Sequence, residues 1–261
     1  MLLNSLKSIF RNLLKPKQAE NACCFHFGRC GSTVLGNMLN SHPQIKWLGE
    51  VFHEAHESNE SVPSSVQLAK LADQLKGGQC TGIETKFQHL DENGLHLDLE
   101  SLLNELKRLG FHKWIVLRRR NYLRQAISVA RGQITGQWHV ATASNKTDYR
   151  PFALDVEKIS LGGRNRSILK CFDDIDQVYR RTETTFSELG LDALWIEYES
   201  DLENEPMVGF EKVIGFLGLS NFSPDVSLQK LESRAIEQVI SNFEEVKSAL
   251  QHSRYAWMCD A

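Results

Sequence analysis

The run Ala22-Cys23-Cys24-Phe25-His26-Phe27 passes without a polar spacer into Gly28-Arg29-Cys30-Gly31-Ser32-Thr33, and an amphipathic segment follows. Six mostly apolar residues suit a buried strand, and two glycines permit a tight turn. A helix starting at residue 32 directs its unpaired N-terminal N–H groups into that turn. A strand, loop and helix of this kind make an anion-binding cradle, and Arg29 adds a cationic fork to it. A nucleoside-triphosphate loop would need two glycines five positions apart, followed by Lys and then Ser or Thr. Gly28 and Gly31 are only three apart and no Lys follows. The cradle would therefore rely on Arg29, Ser32, Thr33 and backbone amides. On these residues alone, a phosphate loop and a strand-turn-helix packed with small side chains both remain open.

A second stretch narrows the choice. Trp114-Ile115-Val116-Leu117 runs directly into Arg118-Arg119-Arg120-Asn121 and another amphipathic segment. Arg120 closes the strand and Ser128, eight residues later, lies two turns into the helix, where both would reach one compact anion. Strands are expected at 22–27, 80–87, 113–119 and 192–198. Helices are expected near 32–41, 64–76, 98–109, 121–134 and 204–217. Their alternation predicts an α/β fold with a central parallel sheet flanked by helices. Ligands of such sheets bind beyond the C-terminal strand ends, where both loops fall. Residues 155–189 read as helical, with a break at Gly162-Gly163 that Arg164 and Arg166 follow. The polar stretch 137–166 reads either as an acceptor-binding lid or as an ordinary surface loop.

With 261 residues, 41% of them hydrophobic, the chain can bury a full core, and a single domain over 21–261 accounts for it. A net charge of −3 gives no reason to expect nucleic acid as a partner. The six cysteines, at 23, 24, 30, 80, 171 and 259, show no CxxC spacing. Neither a zinc site nor a disulfide framework is suggested, and buried thiols are expected. Residues 1–20 form a basic amphipathic segment, with Lys7, Arg11, Lys15 and Lys17 among leucines at helical spacing. Residues 1–17 suit packing on the domain or peripheral contact with an anionic membrane, and contain neither a membrane span nor a standard signal peptide. A cytoplasmic location, membrane-peripheral in the second case, is the matching expectation. Nothing in the sequence bears on oligomeric state.

The two loops together resemble the sulfotransferases that use 3'-phosphoadenosine 5'-phosphosulfate (PAPS). Gly28-Arg29-Cys30-Gly31-Ser32-Thr33 is similar to that family's 5'-phosphosulfate loop, and Arg120-Asn121 with Ser128 to its 3'-phosphate motif. Residues 196–202 through Phe216-Leu217-Gly218-Leu219 are similar to its late strand, loop and helix, so the resemblance runs from about Cys23 to Leu219. Leu117 to Ala126 and Thr135-Gly136-Gln137-Trp138-His139 look most like the bacterial carbohydrate enzymes, the trehalose 2-sulfotransferase and the nodulation-factor sulfotransferase. Arg124 and Arg29 replace an acidic residue and a Lys of the cytosolic animal enzymes, which disfavours a steroid or phenol acceptor.

The resemblance implies a P-loop-like sulfotransferase fold and transfer of a sulfonate group from PAPS to a hydroxyl of a carbohydrate or glycolipid. Arg29, Cys30, Gly31, Ser32 and Thr33 would hold the 5'-phosphosulfate, and Arg120 and Ser128 the 3'-phosphate. Arg254 would be a further, distal candidate. Lys86, at the end of Gly82-Ile83-Glu84-Thr85-Lys86, supplies a second cation beside Arg29, so that no metal is required in principle. Glu50 in Trp47-Leu48-Gly49-Glu50-Val51-Phe52 is the candidate general base, in a context like that of the related carbohydrate enzymes. His53 and Glu54 are the nearest alternatives, and His139 a possible helper. Trp138 suits either stacking on a sugar ring or the core. Two other readings stand beside this one: a P-loop-type kinase, and a nonenzymatic nucleotide-binding protein indifferent to loss of Glu50.

Overall fold

The computed structural model describes residues 20–53, 63–75, 79–90, 95–136, 138, 150–224 and 234–260. The N-terminal segment 1–19, Glu54 and His139 lie outside the described residues, as do 139–149 of the stretch read as a lid.

Strands β1 (Asn21–His26), β2 (Ile45–Glu50), β3 (Cys80–Lys86), β4 (Phe111–Arg118) and β5 (Ala193–Glu197) form one sheet in the spatial order β2, β3, β1, β4, β5. Every neighbouring pair is parallel. Parallel strands buried on both sides read as continuous apolar runs, and the period of two sorts their side chains between two cores. Cys23 and Phe25 of β1 and Trp114 and Val116 of β4 face one core. Ala22 and Cys24, with Ile115 and Leu117, face the other.

Helices α1 (Ser32–Ser41) and α6 (Pro206–Leu217) cover the second face through Leu35, Met38, Leu39, Phe210, Val213 and Ile214. The first face is covered by α2 (Ser64–Gln74), α3 (Leu99–Arg108), α4 (Tyr122–Thr135) and α5 (Ile168–Glu188), and by the short α7 (Ile236–Val239) and α8 (Phe243–Leu250). After β1 the chain goes to one face and after β4 to the other. The crevice between these adjacent strands is therefore the topological switch point, where open α/β sheets bind ligands.

The four expected strands and five expected helices form within two residues of their predicted limits, β4 beginning two residues early and α6 starting two late. Two regions differ. Ile45–Glu50, not among the expected strands, is an edge strand, with Ile45 and Trp47 buried and Lys46 and Leu48 only partly so. The region 155–189 is helical only from Ile168; before it, Leu161–Gly163 form a short 3₁₀ turn with Gly162 at φ 81°. All six cysteines are buried free thiols, and burial pushes Cys80 up to about 11 and Cys23 and Cys171 to about 12.

Candidate active site

The loop after β1 ends in Gly31, which caps α1 at φ 92°. A Cβ there would lie 2.8 Å from the Tyr198 ring, so the position needs glycine for its backbone angle and for space. No side chain caps α1 and its first turn carries no acid. The helix thus keeps its N-terminal N–H groups for an anion. Arg29 also has positive φ, at 65°. Its Nε donates to Ser128 Oγ at 2.9 Å and its Nη1 to the Trp138 carbonyl at 2.6 Å. Gln125 of α4 donates to the Gly28 carbonyl at 2.5 Å. The two loops singled out from the sequence are thereby tied together.

Arg120 and Ser128 hold different partners. The Arg120 side chain is half-exposed, with Nε 3.4 Å from Glu197 Oε2. Glu199 accepts from the backbone N–H groups of Arg120 and Asn121, both at 2.9 Å, and Asn121 caps α4 by accepting from Arg124 N. Arg254 stands elsewhere, against α5, paired with Asp173 at 2.7 Å and Asp176 at 3.1 Å.

Sequence reasoning missed Arg119. Its guanidinium is buried, stacks 4.4 Å from the Tyr198 ring centroid, and donates to the Arg29 carbonyl at 3.3 Å. Its Nε finds no partner among the described residues. Burial pulls down the pKa of both Arg29 and Arg119, and Arg119 adds its repulsion at Arg29. Two desolvated guanidiniums beside a bare helix N-terminus fit a phosphate group. The available signal was the Arg118-Arg119-Arg120 run: strand alternation sends Arg118 to Glu197 and turns Arg119 back toward the loop.

Glu50 ends β2, re-aimed by a register shift after Trp47 and by Gly49 at φ 68°. Its Oε2 lies 2.6 Å from Lys86 Nζ, 3.7 Å from His53 Nδ1 and 4.0 Å from His89 Nε2. Lys86 in turn reaches the loop after β1: a Cβ at Gly28 would lie 3.6 Å from Lys86 Cε. His89 Nδ1 accepts from Lys86 N at 3.3 Å, which assigns the proton to Nε2, facing Glu50. Glu50, Thr33, Asn37 and Trp47 border a shallow cleft of about 290 Å³ between α1 and β2.

Beneath Glu50 is a buried pair. His26 Nε2 lies 3.2 Å from Glu84 Oε2, its Nδ1 donates to the Phe27 carbonyl at 3.0 Å, and Trp47 Nε1 donates to Glu84 Oε1 at 2.7 Å. Burial alone would lower the His26 pKa, yet Cys30 and Glu84 hold it well above the ordinary imidazole value. Burial would raise Glu84, but His26, Trp47 and Lys86 hold it below the ordinary carboxylate value. Both ring nitrogens face acceptors, as an imidazolium requires.

Among the described residues, two groups have ligand atoms close enough for a metal ion: Glu50 with His53 and His89, and Glu50 with His26 and Glu84. Both depend on Glu50, whose Oε2 already faces the Lys86 ammonium. Trp138, read as either a stacking residue or a core residue, is 42% exposed and lies over Gly132. It is not a core side chain.

The chain matches no family model and no curated protein. Among solved structures, it is similar to a sulfotransferase of Alicyclobacillus acidocaldarius, at 15% identity and a TM-score of 0.53, over 88% of this chain and 90% of that one. A mouse sulfotransferase solved in complex with PAP aligns at 16% identity and a TM-score of 0.43, over 98% of this chain and 78% of that one. The architecture is that of the sulfotransferase fold.

Proposed function

We propose that this protein is a sulfotransferase that moves a sulfonate group from PAPS to a hydroxyl of a carbohydrate or glycolipid. One observation carries the reading: at the switch point of a sheet of sulfotransferase architecture, the anion loop at Arg29 and Gly31 stands beside an acid and a base in contact, Lys86 and Glu50.

PAPS supplies an activated sulfonate on a phosphate leaving group. Arg29, Arg119 and the N–H groups that open α1 hold the 5' end and stabilise the charge that develops there. Arg120 and Ser128 bind the 3'-phosphate. Arg120 is available for this because its contact with Glu197 is half-exposed, and such pairs are worth only about 0–1 kcal/mol. Glu50 takes the proton of the acceptor hydroxyl while its oxygen bonds to sulfur. The bond from sulfur to the bridging phosphate oxygen breaks, and 3'-phosphoadenosine 5'-phosphate (PAP) leaves. Lys86 neutralises the leaving oxygen. Its ammonium passes from Glu50 to the phosphosulfate when donor is present, which frees Glu50 as base.

Calorimetry with PAP, AMP and ATP, without added Mg, tests the donor site. Binding that depends on the 3'-phosphate is expected. Equal affinity for PAP and AMP would remove the role given to Arg120 and Ser128. ATP binding restored by Mg would favour a kinase.

A further inference from the structure

A second pocket, of about 400 Å³, is lined by Phe87 and Gln88, the two residues that follow Lys86. Its floor is apolar: Phe27 and Phe87, the residues next to Gly28 and Lys86, pack together with ring centroids 5.1 Å apart, and Leu161 and Ile175 complete it. Its rim is basic, with Arg164, Arg166, Lys170 and Arg181 against a single carboxylate, Asp174. Arg166 and Lys170 divide that carboxylate between them. The described lining residues thus carry three more positive than negative side chains, in a chain whose net charge is −3. Gln88 also lines the pocket, and its buried Oε1 accepts no hydrogen bond among the described residues. A volume within the ~300–1,000 Å³ of small-molecule sites, an apolar floor and a few convergent polar groups are what a ligand site requires.

Location separates this pocket from the donor. The residues assigned to PAPS come from the loop after β1, the start of α1, Lys86 at the end of β3, the end of β4 and α4. The pocket is lined by Phe27 just after β1, by Phe87 and Gln88 just after β3, by residues of 161–166 and by α5, with nothing from α1, β4 or α4 among its described lining residues. One 3₁₀ turn, Phe87–Leu90, joins it to the reacting centre. Phe87 and Gln88 face the pocket while His89 faces Glu50.

We infer that this pocket is an acceptor subsite for a saccharide carrying an anionic group, a carboxylate or a sulfate ester, near the hydroxyl to be sulfonated. The inference rests on Glu50 and Lys86 being the transfer centre. The sugar ring lies on Phe27 and Phe87, a ring hydroxyl donates to Gln88 Oε1, and Arg164 and Arg181 of the basic rim take the anion.

The test is calorimetry on the full chain, with and without PAP. Three probes are compared: a uronic-acid oligosaccharide, its sulfated counterpart and its carboxyl-reduced, neutral counterpart. Each is titrated into the wild type, the double charge reversal Arg164→Glu with Arg181→Glu, and the double Arg→Lys control. At least one charged probe should bind ten times or more tighter than the neutral one. The reversal should remove that gain, the Lys control should keep most of it, and PAP affinity should be the same in all three proteins. The tighter of the two charged probes identifies the anion as carboxylate or sulfate. Equal binding of the neutral probe, indifference to the reversal, or a parallel fall in PAP affinity would overturn the inference. Binding of a charged probe to a wild type that does not bind PAP would leave the anion site standing and remove the transferase reading beneath it.

Discussion

The two ends of the proposed site, one for the donor and one for the acceptor, are built from different materials. The first hangs from β1 and β4, central strands buried along most of their length, and its loops are cross-linked by Arg29, Gln125 and Ser128. The acceptor end hangs from β2, an edge strand with a register shift, and from a four-residue 3₁₀ turn. A rigid cradle suits a cosubstrate that is always the same. An edge strand and a short turn let acceptor specificity change without disturbing the sheet. If that division holds, substitutions at the two ends should separate turnover from donor affinity.

The largest separation is expected at Glu50. Glu50→Gln keeps the shape of the side chain and removes its basicity. Turnover at saturating acceptor should fall by roughly 10²–10⁴-fold, the usual contribution of a general base, with PAP affinity nearly unchanged. Comparison of single-turnover rates and PAP titrations reads both. Turnover equal to the wild type would move the base to another group, of which His89 and His53 are nearest.

Next in size is the buried pair that supports the acceptor end. Glu84→Gln leaves His26 buried without its counter-charge, which should cost about 3 kcal/mol of stability. The pH dependence has a definite sign. His26 is raised above its ordinary 6.5 and Glu84 lowered from 4.5, so the pair stabilises fully between those two values. Its contribution declines as pH rises above 6.5 toward the folded pKa of His26, and as pH falls below 4.5 toward that of Glu84. Thermal unfolding of the wild type should show this maximum, and the variant should flatten it. A variant with an unchanged profile would mean that the two side chains carry no charge in the folded protein.

The same contrast explains what the sequence revealed. Central strands announce themselves because both faces are buried: Trp114 to Leu117 is an unbroken apolar run, Ala22 to Phe27 is interrupted only by His26, and both loops follow from them. β2 did not, because only Ile45 and Trp47 of its six residues are buried, and Gly49 breaks the pattern before Glu50. Glu50 is singled out by its Gly-Glu-x-Phe context, whereas its neighbour His89 is brought near by the turn after β3 and the buried Glu84 by pairing between strands, which no local pattern encodes. Arg119 was hidden for a related reason. Three consecutive arginines read as one basic patch, and only the alternation of the strand end separates the one at the loop from its neighbours. The start of α5 at Ile168 was blurred by the polar and apolar residues before it, which form a 3₁₀ turn and an isolated bridge between Ile159 and Arg166.

At the donor end, Arg29→Met should weaken PAP binding by about 10–100-fold, since hydrogen bonds from a charged donor are worth about 1.5–3 kcal/mol. It also removes the links to Ser128 and Trp138. The loss should therefore appear with AMP as well as with PAP, and a loss confined to PAP would assign Arg29 to the 3' end.

The smallest effect, and the sharpest test of how the donor end is divided, is expected at Arg120. This side chain is half-exposed and in this structure faces Glu197, while Ser128 is engaged by Arg29. Arg120 must leave a weak surface pair to meet a phosphate, so only part of the interaction is gained on binding. Arg120→Ala should lower PAP affinity about tenfold, close to 1.4 kcal/mol, and leave AMP affinity within twofold. The preference for PAP over AMP would then shrink by nearly the whole of that factor. If PAP and AMP weaken equally, Arg120 acts on the shared 5' end, through the loop that Arg119 and Arg29 form. If neither changes, the 3'-phosphate is held by Ser128 and the N-terminus of α4 alone, and Arg120 serves the Glu197 contact that it already makes.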